Sequence, residues 1–154
     1  MAQEIERKFL VRGDFKSKAT EVSHIQQGYI INGLVSMRVR VLADKGFITI
    51  KGPADDAGVS RYEWEKEIPF NKALVLFDLC GIHTIDKHRY LVPVGQHTFE
   101  VDEFHGENEG LVVAEVELSS EEESFSIPSF LGREVTGEVK YYNASLITYP
   151  YARW

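Results

Sequence analysis

Apolar and polar residues alternate with a period of two along most of this chain, the pattern of strands that turn one face to a core. The alternation predicts strands over 4–11, 22–31, 35–42, 47–51, 60–68, 84–92, 97–104 and 111–118. Turn-forming residues separate several of them: Asn32-Gly33, Asp44-Lys45-Gly46, Val94-Gly95-Gln96 and Gly106-Glu107-Asn108-Glu109-Gly110. The Gly/Pro/Asp stretch 52–58 reads as one mobile loop. Helical spacing is scarce. It is clearest over 71–80, with Asn71 as cap, Gly81 as stop, and Leu74, Phe77 and Asp78 on one face. Segments 13–19 and 140–147 are weaker helical candidates. About eight short antiparallel strands with few helices predict a β-rich barrel or sandwich, as one domain over 1–154.

The polar faces of these strands are unusual. The first carries Glu4, Glu6 and Lys8 opposite Ile5, Arg7, Phe9 and Val11. The third carries Arg38 and Arg40, the fourth Thr49 and Lys51, and the fifth Arg61, Glu63, Glu65 and Glu67. Lys87 and Arg89, Glu100 and Asp102, and Glu115 and Glu117 follow in the last three. Like charges at alternate positions repel, and a solvated surface mixes signs to avoid this. For a single strand, a charged face turned to water is an ordinary alternative. Over the whole set, the intervening faces are too apolar to be solvated as well, which favours charged faces gathered around an enclosed polar volume. Arg7 and Lys66 have the opposite parity and are expected outside. Glu67 lies near a strand end, where solvent is expected. Glu100 reads equally as a cavity-mouth residue or a structural partner.

Clustered carboxylates suit hard divalent cations such as Mg²⁺ or Mn²⁺, and clustered Arg and Lys suit phosphate oxygens. A phosphate chain bridged by cations satisfies both, so the pattern reads as a metal–polyphosphate site. Composition narrows the remaining classes. With 17 basic and 24 acidic residues the net charge is −7, which argues against nucleic acid and against an anionic membrane surface as partners. The lone cysteine, Cys80, permits no internal disulfide and reads as a buried thiol. No apolar run approaches the roughly 20 residues of a membrane span, and the charged start, Met1-Ala2-Gln3-Glu4, has no signal core. A cytoplasmic location is expected. The histidines, at 24, 83, 88, 97 and 105, show no zinc-ligand spacing.

Glu4-Ile5-Glu6-Arg7-Lys8 forms an ExExK pattern. Gln27-Gly28-Tyr29, Arg38-Val39-Arg40, Thr49-Ile50-Lys51, Arg61-Tyr62-Glu63-Trp64-Glu65 and Lys87-His88-Arg89 follow it in order. Phe99-Glu100-Val101-Asp102, Glu115-Val116-Glu117-Leu118 and Glu134-Val135-Thr136-Gly137 complete the series. The ordered set resembles the CYTH superfamily, the triphosphate tunnel metalloenzymes, and most of all its small bacterial inorganic triphosphatases. The resemblance implies a closed eight-stranded antiparallel β-barrel with a charged tunnel and a few flanking helices. It implies that Glu4, Glu6, Glu115 and Glu117 hold one or two divalent cations, with Glu63 and Glu65 as further acidic residues. Asp102 would support the metal shell or the basic side chains. Lys8, Arg38, Arg40, Lys51, Arg61, Lys87 and Arg89 would grip triphosphate, and Tyr29, near Lys8, would tune activity. Lys140 would reach a terminal phosphate, although Val139 breaks the basic pair often found there.

The activities implied are hydrolysis of inorganic tripolyphosphate, hydrolysis of thiamine triphosphate, and class IV adenylate cyclisation. Ser60-Arg61-x-Glu63-x-Glu65 and Gln26-Gln27-Gly28-Tyr29 resemble the inorganic triphosphatases most closely. The expected function is therefore divalent-metal-dependent hydrolysis of tripolyphosphate to pyrophosphate and phosphate. A non-enzymatic polyphosphate-binding module is the alternative from another class; so many carboxylates facing an anion argue against it. A homodimer is compatible with the resemblance and required by no feature of the sequence.

Overall fold

The computed structural model describes residues 3–154; Met1 and Ala2, the start of the charged N-terminus, lie outside the described residues. In chain order the elements are β1 (Gln3–Val11), β2 (Glu21–Asn32), β3 (Ser36–Leu42), β4 (Lys45–Ala54), β5 (Ser60–Ile68) and α1 (Phe70–Leu79). There follow β6 (Thr84–Val94), β7 (His97–Phe104), β8 (Val112–Glu117), β9 (Leu131–Glu134) and α2 (Asn143–Leu146).

Eight strands close a barrel in the order β5-β4-β3-β2-β6-β7-β8-β1, all neighbours antiparallel, with β1 returning to β5. The seam is short: Gln3, Glu4 and Ile5 pair with Tyr62, Arg61 and Ser60. Beyond Ile5 that edge of β1 is taken over by β9, which pairs Glu134 with Phe9 and Leu131 with Val11 across a register shift. The ninth strand is an addition to the expected eight. The expected loop 52–58 is shorter than predicted, because β4 extends to Ala54.

Closure turns the sheet inside out relative to an ordinary barrel. Phe9, Val92, Phe99, Val101, Ala114 and Val116 face outward and are buried beneath Phe15, Phe130 and Leu131 from the connections. On the opposite flank Ala73, Leu76 and Phe77 of α1, with Cys80 just after it, lie on Val39, Val41 and Ile48. The helix lies so close that a Cβ at Gly46 would stand 2.3 Å from that of Ala73. Glycine is required there for lack of space. The buried face of α1 differs from the expected one, since Leu74 and Asp78 point to solvent. Its start differs too: Pro69 is the N-cap, without a side-chain cap, and Asn71 lies inside the helix. The Pro69 carbonyl accepts from the amides of Lys72 and Ala73.

Inside, the inward positions form layers. Glu4, Glu6, Lys8, Arg38, Arg40, Lys87, Arg89, Glu115 and Glu117 give a charged layer. Leu10, Ile85, Phe104, Leu111 and Val113 continue the same parity toward one end and pack with Tyr29, Val135, Tyr141 and Leu146. That end is plugged by the C-terminal segment, which is a 3₁₀ turn (Val139–Tyr141) followed by α2 in place of one helix over 140–147. Likewise only Lys16–Lys18 of the candidate 13–19 is helical, as a 3₁₀ turn. No helix among the described residues is long and apolar enough to cross a membrane.

Candidate active site

The charged layer surrounds a cavity of about 240 Å³. Strand order sorts its charges. Lys51 of β4, Arg38 and Arg40 of β3, and Lys87 and Arg89 of β6 form a basic half. Glu100 of β7, Glu115 and Glu117 of β8, Glu4 and Glu6 of β1, and Glu63 and Glu65 of β5 form an acidic half. Lys8 and Arg61 are the two cations set among the acidic strands. Tyr29 also lines the cavity while packing in the plug, so it is both a wall and a core residue.

Pairing across the cavity is partial. Lys51 Nζ lies 2.9 Å from Glu4 Oε2 and 3.3 Å from Glu63 Oε2, and Thr49 Oγ1 donates to Glu65 at 2.7 Å. Asp102, 1% exposed, does not line the cavity. Its carboxylate accepts from Lys87 Nζ at 2.7 Å, Arg89 Nε at 2.8 Å and Arg89 Nη2 at 2.9 Å. Both oxygens are thus engaged by the cations of the basic wall, the second of the two arrangements expected for Asp102. Arg89 also reaches Glu100 at 3.2 Å, and Glu100 lines the cavity, which combines the two readings of Glu100.

Gln27, fully buried, accepts from Arg40 Nε at 3.0 Å and donates to Tyr29 Oη at 3.1 Å. Among the described residues, Lys8, Arg38, Arg40 and Arg61 form no ion pair. Arg38 Nε is buried with no acceptor at all. A buried, unsatisfied guanidinium donor is costly unless an anion completes it.

The proton affinities follow from this crowding. Burial, with Arg38 and Arg89 nearby, pulls Arg40 down to about 9. Burial and Arg38 pull Lys51 down to about 8 against the opposing pull of Glu4 and Glu6. Burial pulls Lys87 down to about 7 despite Asp102, because Arg89 and Arg40 repel its charge. Burial opposes ionisation of Asp102, yet Arg89 and Lys87 hold it at about 2. On the acidic side, burial and then Glu115 push Glu6 well above the carboxylate range; burial opposes ionisation of Glu115 too, yet Lys8 and the hydrogen bond from Glu6 hold it well below that range. Burial, Glu4 and Glu100 raise Glu117. Glu6 and Glu115 thus share one proton.

Glutamates directly opposed across strands, Glu6 to Glu117 and Glu100 to Glu115, are unfavourable unless a proton or a cation intervenes. This donor set fits a hard divalent cation in its chemistry. It does not form a finished cage: among the described residues no three His, Cys, Asp or Glu side chains converge tightly enough to hold a metal ion. The predicted carboxylates Glu4, Glu6, Glu63, Glu65, Glu115 and Glu117 line the walls, and Glu6 meets Glu4 and Glu115 in pairs. Open oxygen sites completed by substrate phosphates are the usual form for Mg²⁺.

Lys140 is placed elsewhere. Its ammonium sits 4.3 Å from the Trp154 ring centroid on the outside of the plug, and the residue does not line the cavity. Arg7 is outside as predicted, forked onto Glu134 at 2.5 and 2.8 Å, and Lys66 and Glu67 are exposed. Ser36, which shares the parity of Arg38 and Arg40, also lines the cavity; parity missed Tyr142, Asn143 and Ala144 in the plug, which line it too. Asn143 Oδ1 accepts from Lys87 at 2.9 Å and Gln27 at 3.3 Å, tying the plug to the basic wall.

A closed antiparallel barrel with an inward-facing lumen of opposed acids and bases defines one class of protein. The CYTH domain model matches residues 2–151, and the chain belongs to the CYTH family. It is 48% identical over 154 residues to an inorganic triphosphatase of Acetivibrio thermocellus, an alignment covering 98% of this chain and 97% of that relative. It is 34% identical over 149 residues to an inorganic triphosphatase of Nitrosomonas europaea, covering 93% and 95%. Its fold superposes on the crystal structure of the inorganic triphosphatase NE1496 with a TM-score of 0.69 at 29% identity, over 96% of this chain and 95% of that one.

Proposed function

We propose that this chain hydrolyses inorganic tripolyphosphate to pyrophosphate and phosphate inside the barrel, with Mg²⁺ or Mn²⁺ as the cation that the glutamates would hold. The observation that carries the reading is the uncompensated basic wall: Lys8, Arg38, Arg40 and Arg61 without ion pairs, and Arg38 Nε buried and unsatisfied. A linear anion with oxygens along its length supplies the missing acceptors. The names of the relatives support the same substrate.

Arg38, Arg40, Lys51, Lys87 and Arg89 bind the phosphate chain on one side, and Lys8 and Arg61 approach it from the acidic side. Glu4, Glu6, Glu115 and Glu117 would hold the cation, which when bound neutralises phosphate oxygens and makes water a better nucleophile. Water adds to a terminal phosphorus, its bond to the bridging oxygen breaks, and pyrophosphate leaves. The basic wall is already in place for the charge that builds on the leaving group, so little reorganisation is required. The proton that the water gives up is taken by the acidic wall. The unpaired, buried Cys80 thiol accords with a reducing cytoplasmic location.

The test is to incubate the purified protein with tripolyphosphate, ATP or thiamine triphosphate and either cation, and to identify the products. Orthophosphate from tripolyphosphate, abolished by a chelator, is the expected result. Cyclic AMP from ATP would establish a cyclase instead, preference for thiamine triphosphate would reassign the substrate, and tight binding without turnover would leave a binding module.

A further inference from the structure

Beside the charged cavity lies a second hollow of about 390 Å³, open to the outside, lined in part by Leu34, Pro53, Asp55, Asp56 and Val139. A narrow crevice next to Gly58 and Thr136 adjoins both. Tyr142 and Arg61 line all three spaces. Tyr142 is held firmly in that position. Lys8 Nζ stands 5.1 Å and the Arg61 guanidinium 5.2 Å from its ring centroid, within the range of cation–π attraction. Its hydroxyl abuts Gly58, where an added Cβ would come within 3.2 Å of the Tyr142 oxygen and 2.3 Å of the Gly137 Cα. Gly58 and Gly137 both have positive φ, +73° and +79°, so neither can become a larger residue and displace the ring without strain.

We propose that Tyr142 is a partition that determines specificity, confining the occupant of the barrel to a bare phosphate chain and excluding a nucleoside attached to it. This rests on the proposed tripolyphosphate reading of the same cavity. The inner walls offer charge to phosphate oxygens at almost every position, whereas a ribose and base have no apolar surface there to meet. The wall shared with the outer hollow is where such a group finds apolar surface next to the phosphates, and Tyr142 stands in that wall. The outer hollow is the more apolar of the two, with Leu34, Pro53 and Val139, and it carries Asp55 and Asp56. It suits an uncharged nucleoside better than the continuation of a polyanion.

The experiment compares kcat/KM for tripolyphosphate and for ATP, with Mg²⁺, in the wild type, Tyr142→Phe, Tyr142→Leu and Tyr142→Ala. Losing the ring removes contacts with Lys8 and Arg61 and lowers both rates, so the ratio is the readout. The ratio of ATP to tripolyphosphate activity rises at least tenfold in Tyr142→Ala and less in Tyr142→Leu, and stays at the wild-type value in Tyr142→Phe. An unchanged ratio in Tyr142→Ala, or in Tyr142→Leu should the alanine variant not fold, overturns the partition. If the wild type turns over neither substrate, the hydrolytic reading fails by itself. Calorimetric affinities for ATP and tripolyphosphate in the same variants then decide the partition by the same ratio.

Discussion

The buried ionic layer should be most sensitive at Asp102. Asp102→Asn keeps the shape of the side chain and removes the one charge that two buried cations share, through contacts of 2.7, 2.8 and 2.9 Å. Breaking one partner out of a buried ion pair costs about 3–5 kcal/mol. Two features place this case at the lower end. Lys87, at about 7, can shed its proton at little cost near neutrality, and Arg89 keeps Glu100 at 3.2 Å. The linkage argument gives a similar size. Depression of Asp102 from 3.8 to about 2 corresponds to about 2 kcal/mol. Because the folded-state value lies below the unfolded one, that stabilisation is complete above about pH 4 and is lost as pH falls through about 2. At pH 7, urea unfolding followed by tryptophan fluorescence should show Asp102→Asn less stable by roughly 3 kcal/mol, or a melting point lower by roughly 6–12 °C. The gap should narrow steeply between pH 4 and pH 2, since the variant has no carboxylate to protonate there. A gap below about 0.5 kcal/mol at pH 7, or one that does not change with pH, would refute the claim that Asp102 is the counter-charge of the basic wall.

Glu6→Gln should separate stability from turnover: tripolyphosphate hydrolysis falls at least a hundredfold, while melting in chelator rises, because the folded state no longer confines a carboxylate beside Glu115. As burial and Glu115 raise Glu6 in the folded state, its ionisation opposes folding above the unfolded value, and the gain should grow from pH 5 to pH 8. A lower melting point across that range would count against the shared proton. Binding of tripolyphosphate without metal at pH 8 should take up protons, since an anion raises Lys87 and Lys51 from about 7 and about 8. Calorimetry in buffers of different ionisation enthalpy reads the uptake directly, and proton release would contradict it.

The barrel and the residues of its lumen were legible because strand parity is a strict rule: one residue in two faces inward, so a charged inner face leaves its mark on every strand. Lys8, Arg38, Arg40, Lys87, Arg89 and Glu115 all lie where parity puts them. The rule is silent wherever the chain is not a strand. Tyr142 and Asn143 enter the lumen from a broken turn, and Lys140 points away to stack on Trp154, since a 3₁₀ turn followed by α2 does not keep the spacing of one continuous helix. The ninth strand was hidden by its length and by Gly132. Only its pairing with β1 beyond the β5 seam gives it an extended shape. Asn71 had the chemistry of a cap, but Pro69 fixes the turn one residue earlier than Phe70, and its carbonyl collects the first free amides.

Parity also could not reveal that the lumen is layered, and the layers explain how so charged an interior folds. The apolar stratum from Leu10 to Val113, sealed by Tyr141 and Leu146, supplies inward burial that the ionic layer cannot. The outward faces, packed under Phe130 and α1, supply the rest. With stability drawn from those surfaces, the charged layer is free to stay under-compensated, with an unsatisfied Arg38, a half-protonated glutamate pair and a lysine held near neutrality. Each of these is unfavourable by itself, and the proposed occupant, a cation-bound polyanion, would relieve all three. Binding energy at this site is therefore in part the release of electrostatic strain already built into the fold, and mutations that relax the strain should stabilise the protein while weakening its grip.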